Sequence, residues 1–253
     1  MGRVYASSDW HGCGYLAEKV ISYLQPDDKL YFLGDSIDRG DDGIGLFNFL
    51  TKDPRVTYLR GNHEELMYKT ILESLDYIYS DTFSLWLYGN GGNKTWSDIE
   101  LLDKEELLKY ANEIKAMPLK ATYRSPKGHT VILEHAGFTP NSVSLSHDPL
   151  WDRDHFHDKW GKNSEFENTY IVHGHTPVQY LKFEFGYIDQ PPITKEEISL
   201  KDSWDDLPTD VEWKPEVIRY CDGHKFDIDM CTVASGRVAL LDLDTFEIKY
   251  FDE

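Results

Sequence analysis

In the first 75 residues, three short apolar segments alternate with three segments of helical spacing, and a polar cluster follows each apolar one. RVYAS (3–7), KLYFLG (29–34) and RVTYLRG (55–61) have strand character, while residues 14–24, 41–50 and 63–75 read as amphipathic helices. The order strand, helix, strand, helix, strand, helix constrains the chain to an α/β fold built on a largely parallel sheet. Ligands of such sheets gather at the carboxyl ends of the strands. DWHG (9–12), GDSIDRG (34–40) and GNHE (61–64) fall at those ends.

The same arrangement recurs downstream. TVILEHAG (130–137) and NTYIVHGHTP (168–177) are strands that run into polar turns, and residues 98–117 form a charged amphipathic helix ended by Pro118. Further strands are expected near 217–220, 224–231, 236–244 and 248–250. Residues 191–216 are a polar, proline-containing excursion. With no internal repeat and no linker, residues 1–253 are expected to form a single domain carrying a surface excursion at 191–216.

These strand ends bring a mixed set of Asp, His and Asn to one edge, a donor set suited to divalent manganese, iron or zinc and unsuited to structural zinc. One ion cannot use them all, whereas two ions sharing a carboxylate can. The first is assigned Asp9, His11 and Asp35, and the second Asp35, Asn62, His135 and His175. Two close cations polarise a phosphoryl group and acidify a water. Without cations, Asp9, Asp35 and Asp38 would repel one another. His63, beside Asn62, is read as a general acid oriented by Asp38. Arg39, Arg60 and Arg153 are candidate phosphate-binding residues, since the guanidinium fork matches phosphate oxygens; surface or loop pairing is the alternative for each.

Charge limits the partners. The chain carries 45 Asp+Glu against 26 Lys+Arg, a formal charge of −19, which argues against a broad basic face for nucleic acid or anionic membrane. Local cations and arginines still permit a small phosphorylated substrate or a phosphopeptide. Residues 189–229 hold 12 acids against 5 bases, a local −7 attributed to the excursion and its surroundings. No stretch approaches the roughly 18 apolar residues of a membrane span. The three cysteines form no CxxC, and the amino terminus has no hydrophobic signal core, so a soluble cytoplasmic protein is expected.

Taken in order, DWHG, GDSIDRG, RGNHE, EHAG and HGHTP resemble the metallophosphoesterases of the phosphoprotein phosphatase family, or calcineurin-like phosphoesterases. The likeness is greatest to small bacterial and bacteriophage serine/threonine phosphatases and diadenosine tetraphosphatase relatives, and it spans about residues 3–180. It implies a sandwich of two mixed β-sheets flanked by helices, a dinuclear centre (manganese, with iron, zinc or nickel as alternatives), and direct attack by water without a phosphoenzyme. It also implies the same ligand set, the same Asp38–His63 acid pair, and Arg39 and Arg60 as phosphate clamps. NGGNKT (90–95) resembles a segment near the substrate cleft, and WDRD resembles the region supplying a further arginine, Arg153. Trp10 departs from the family's usual isoleucine, EHAG replaces the commoner His-Gly-Gly wording, and the 191–216 excursion has no counterpart in the family.

The expected activity is phosphomonoester hydrolysis, with protein phosphoserine or phosphothreonine as one substrate class. Dinucleoside polyphosphate hydrolysis, small phosphodiester hydrolysis and metal-dependent binding without turnover are the alternatives. DHFHD (154–158) is read as a solvated turn rather than an extra metal site, and GNGGN lacks the ending of a nucleotide-binding P-loop.

Overall fold

The structure, a computed structural model, describes residues 2–78, 80–140, 147–158, 160, 166–179 and 214–253. Most of the 191–216 excursion lies outside the described residues. The strands and helices of the first third fall where the periodicity predicts: β1 (Val4–Ser7), α1 (Gly14–Tyr23), β2 (Lys29–Phe32), α2 (Gly43–Lys52), β3 (Val56–Tyr58) and α3 (Asn62–Leu75). Asp42 opens α2 by accepting the Gly45 N–H at 3.0 Å, the usual work of an N-cap carboxylate.

The helix expected over 98–117 is divided. A short helix α4 (Asp81–Ser84), a π-helical turn (Leu85–Gly89) and α5 (Asn93–Ile99) precede α6 (Lys104–Ala116). Asp103 and Glu106 form a reciprocal capping box that starts α6 afresh. Strand β4 (Lys120–Arg124) has no counterpart in the sequence reading, because KATYR alternates exposed and half-buried positions and lacks an apolar face of its own.

The remaining strands are β5 (Thr130–Glu134), β6 (Thr169–His173), β7 (Ile218–Tyr220), β8 (Lys225–Asp227), β9 (Arg237–Asp242) and β10 (Ile248–Asp252). Two five-stranded mixed sheets result, in the orders β10-β9-β1-β2-β3 and β4-β5-β6-β8-β7. Strands β1, β2 and β3 are parallel, as are β5, β6 and β8, and antiparallel strands complete each sheet.

Apolar burial holds these layers together. Ala6, Leu33 and Leu241 of one sheet meet Val131, Val172 and Phe226 of the other in a core between the sheets. On its outer face the first sheet packs Phe32 against Leu16, Phe47 and Met67 of the helices. Each fully buried side chain of this size contributes roughly 1.5–3 kcal/mol. The fold is therefore an α/β sandwich of two mixed sheets flanked by helices, and it sets both parallel strand groups to end at one edge. Among the described residues, no helix is long and apolar enough to cross a membrane.

Candidate metal centre

The turn after each parallel strand is pinned to the next. Asp9 N donates to Gly34 O at 3.1 Å and His11 N to Asp35 O at 3.0 Å, so the DWHG and GDSIDRG turns run side by side. Asp9, His11, Asp35, Asp38, Arg39 and His175 all adopt positive φ, six of the eleven non-glycine residues that do so among those described. Such backbone strain concentrates where side chains are held for function, and Asp and His tolerate it better than most.

Glu64, fully buried, fixes this arrangement. Its carboxylate accepts the N–H groups of Asp35 (2.8 Å), Ser36 (2.9 Å) and Gly61 (3.0 Å) and the Tyr58 hydroxyl (2.7 Å). Gly61 has no room for a side chain, since a Cβ there would overlap Asp35 Oδ1. Glu64→Ala leaves three buried backbone N–H groups without their acceptor, each worth about 1–3 kcal/mol, while the Tyr58 hydroxyl keeps Ser36 Oγ. Urea denaturation is expected to show a loss above ~3 kcal/mol in sum; a loss below ~1 kcal/mol would contradict this role.

Three histidines share one tautomer, and this determines what the site can hold. His11 Nδ1 donates to Ile37 O at 2.9 Å, His135 Nδ1 to Leu33 O at 2.7 Å, and His63 Nδ1 to Asp38 Oδ2 at 2.6 Å. Their Nε2 lone pairs converge on Asp35 Oδ2, at 3.9, 3.5 and 3.8 Å respectively. Asn62 Oδ1 lies 2.8 Å from His135 Nε2 and 3.0 Å from His175 Nδ1, while the buried His175 Nε2 has no partner. Carboxylate, amide and imidazole acceptors gathered at one point suit cations. Two acid and imidazole groups are close enough to hold an ion, His11–Asp35–His63 and Asp35–His135–His175, and Asp35 belongs to both. The donor set fits two divalent ions sharing one carboxylate.

Burial sets the electrostatics. It pushes the Asp35 carboxyl well above the usual carboxylate range, with the Glu64 charge adding to it, and does the same for Asp9 with help from Asp229 and Asp35. The His11 and His175 imidazoles are driven well below their ordinary value, again first by burial, and His135 falls to about 4. Neutral imidazoles are the ligand form.

The expected site residues do not all fall where the sequence put them. Asp9 belongs to neither group; its Oδ2 accepts the His175 N–H at 3.1 Å at the base of the site. His63 stands within one group, yet its two nitrogens bond Asp38 and Arg39. Arg39 Nη1 and Nη2 donate to His11 Nε2 (2.8 Å) and His63 Nε2 (3.0 Å), directly over the centre. Arg153 donates to Thr176 Oγ1 at 3.2 Å beside the β6 turn and depresses the basicity of both His135 and His175.

Arg60 has its partners elsewhere. Its guanidinium bonds Glu65 (2.8 Å) and the carbonyls of Ile114 (3.1 Å) and Lys115 (2.7 Å), so its donors anchor the end of α6 instead of reaching into the cleft. Trp10 is fully buried, donates to Ser7 Oγ at 2.8 Å and packs on Phe32, so it fills the layer between sheet and helices. His155 of the DHFHD turn is buried too, bonding the Ala136 carbonyl at 2.8 Å; the turn is not the solvated one expected there.

Sequence reasoning missed several site residues. Parallel pairing with β6 carries β8 to the same edge, so buried Asp227 and Asp229 act electrostatically on each other and on Asp9. Asp229 is raised to about 6 by burial. Part of the local −7 thus belongs to the centre and not to the exterior. The alternation FDID was the available signal, hidden within a strand reading. Trp86 is a further such residue; its indole Nε1 donates to Asp38 Oδ2 at 2.7 Å.

A two-sheet sandwich with two acid and imidazole groups at one edge defines a class, the metal-dependent phosphoesterase folds with two candidate metal sites. The chain belongs to the calcineurin-like phosphoesterase family, whose profile matches residues 2–197. No curated protein sequence matches it significantly.

Solved structures share the fold at low identity. A proposed diadenosine tetraphosphatase has 15% identity and a TM-score of 0.56, covering 99% of this chain and 93% of its own. A protein serine/threonine phosphatase from Saccharomyces cerevisiae has 13% identity and a TM-score of 0.51, covering 100% and 80%. A cold-active protein-tyrosine phosphatase of a psychrophilic Shewanella species has 14% identity and a TM-score of 0.55, covering 99% and 77%. Their differing descriptions carry a shared fold, and no shared substrate.

Proposed function

We propose that the protein is a dinuclear metal-dependent phosphomonoester hydrolase with manganese as its ion. The observation that carries this reading is the convergence of three imidazole Nε2 atoms on Asp35 Oδ2 beside the Asp38–His63 pair. Asp9, His11, Asp35, Asn62, His135 and His175 would hold the ions. Bound there, two divalent cations supply Lewis-acid polarisation of phosphoryl oxygens and a water acidic enough to attack at neutral pH.

The chain's own residues supply the rest. Arg39 exchanges its imidazole acceptors for phosphate oxygens, a stronger charge-assisted bond, and Arg153 approaches from the β6 side. His63 faces the leaving-group oxygen with Nε2 and gives it a proton, while Asp38 holds Nδ1. Burial pushes Asp38 up to about 7 and His63 below its ordinary value, and the two share the Nδ1 proton in a 2.6 Å hydrogen bond. A binding protein without turnover would have no use for such a pair.

Phosphopeptides, diadenosine tetraphosphate and a bis-aryl phosphate assayed in parallel with manganese test this reading. The phosphomonoester is expected to have the highest specificity constant; the highest value on diadenosine tetraphosphate would move the assignment to polyphosphate cleavage, and inactivity on all three would leave a binding protein. At −19, the exterior disfavours acidic phosphopeptides. Phosphopeptides with basic flanks are therefore expected to have KM values below those with acidic flanks, a gap that closes as salt rises.

A further inference from the structure

Asp38 is gripped from one segment of the chain. The Trp86 indole N–H donates to Asp38 Oδ2, the oxygen that also receives His63 Nδ1–H, whereas Asp38 Oδ1 is buried without a partner. Trp86 and His63 both donate to Oδ2, and the Thr95 side chain also acts on the carboxylate, favouring its charged form as the Trp86 indole does. Backbone contacts from the same segment reinforce the grip. Asp38 N donates to Thr95 Oγ1 at 3.0 Å, and Arg39 N to Gly91 O at 3.3 Å.

Trp86 itself has little freedom. It is fully buried, lies on the π-helical turn Leu85–Gly89, and meets Trp96 edge-on with ring centroids 6.2 Å apart. Gly92 lies so close to the indole that any Cβ there would strike it, so the absence of a side chain at 92 lets the ring reach Asp38. A π-turn places an extra residue in the helix, and such turns occur often at functional sites. Packing alone would be served by phenylalanine. Only the N–H explains the aim at Asp38 Oδ2.

We propose that Trp86 is a positioning residue for proton delivery. Its N–H fixes the Asp38 carboxylate, which fixes the His63 ring so that Nε2 faces the leaving group. In that step the water oxygen bonds to phosphorus as the P–O bond to the leaving group cleaves; His63, which takes up a proton on Nε2 once Arg39 turns from it to the phosphate, gives that proton to the leaving-group oxygen and is left neutral, with its Nδ1–H still on Asp38. This inference rests on the hydrolase reading above.

The test compares wild type with Trp86→Phe, both as full chains loaded with manganese, on phenyl phosphate and 2,4-dinitrophenyl phosphate. A poor leaving group needs the proton and an activated one does not. The ratio of kcat on phenyl phosphate to kcat on the dinitrophenyl ester is expected to fall about 10–100-fold, as for other residues that orient a reacting group, with metal content unchanged. A merely structural role would lower both rates together, and an unchanged ratio overturns the proposal.

A second readout needs no turnover. The downfield proton resonance of the His63–Asp38 hydrogen bond is expected to shift or broaden in the Phe variant, and an unmoved resonance overturns the proposal. Wild-type inactivity on both esters would defeat the hydrolase reading, and the resonance would still decide the role of Trp86. If Trp86→Phe fails to fold, site-specific 3-benzothienylalanine, which keeps the ring shape and lacks the N–H, takes its place in both measurements.

Discussion

His63→Ala is expected to lower kcat on a phosphomonoester by about 10²–10⁴-fold, the usual worth of a positioned general acid, while two equivalents of metal remain bound. The two effects separate because the His63 nitrogens are committed to Asp38 (2.6 Å) and Arg39 (3.0 Å). The loss should be steepest for poor leaving groups and small for activated aryl esters. Metal analysis with the turnover assay checks this. Undiminished turnover on an alkyl phosphate would remove His63 from the reaction, and loss of one metal equivalent would make it a ligand, as its place beside His11 and Asp35 also allows.

Asp35→Asn is expected to weaken both ions. Asp35 is the member common to both groups, and its Oδ2 is the point on which three imidazoles converge. Residues that only support metal ligands typically cost 10–100-fold in affinity, so loss of a shared ligand charge should exceed ~100-fold for each ion, with activity following. Folding provides the control. Burial already opposes the charge on Asp35, so the metal-free variant should be at least as stable to urea as the metal-free wild type. Titration calorimetry that finds two full equivalents at native affinity would exclude the shared carboxylate. A variant that is markedly less stable without metal would mean that Asp35 shapes the fold and not the ions.

Metal removal offers a milder check. Ions that bind only the folded chain at one hundred times their Kd stabilise it by about 2.7 kcal/mol per site. Chelation is therefore expected to lower the thermal midpoint, and added manganese to restore it.

Much of the fold was legible because its signals are local. Apolar residues at helical or strand spacing mark β1 to α3 within three residues, and the polar clusters after the strands mark the site, since a parallel sheet delivers strand ends to one edge. Asp9, His11, Asp35, Asn62, His135 and His175 could be nominated together on that ground alone.

Other features depended on partners distant in sequence. Arg39 and Arg60 look alike beside their motifs, but carbonyls of the α6 end, more than fifty residues away, take up Arg60, while Arg39 lies over the histidines. Asp229 falls within an expected strand, and only the pairing of β8 with β6 brings it towards Asp9. No motif marks Trp86, and only a 2.7 Å bond to a carboxylate 48 positions earlier gives its indole a direction. Periodicity and motif order determined the sheet and the edge at which its candidate metal ligands gather. Tertiary packing decided which arginine faces the cleft and what holds the acid pair, because hydrogen bonds join atoms near in space whatever their separation along the chain.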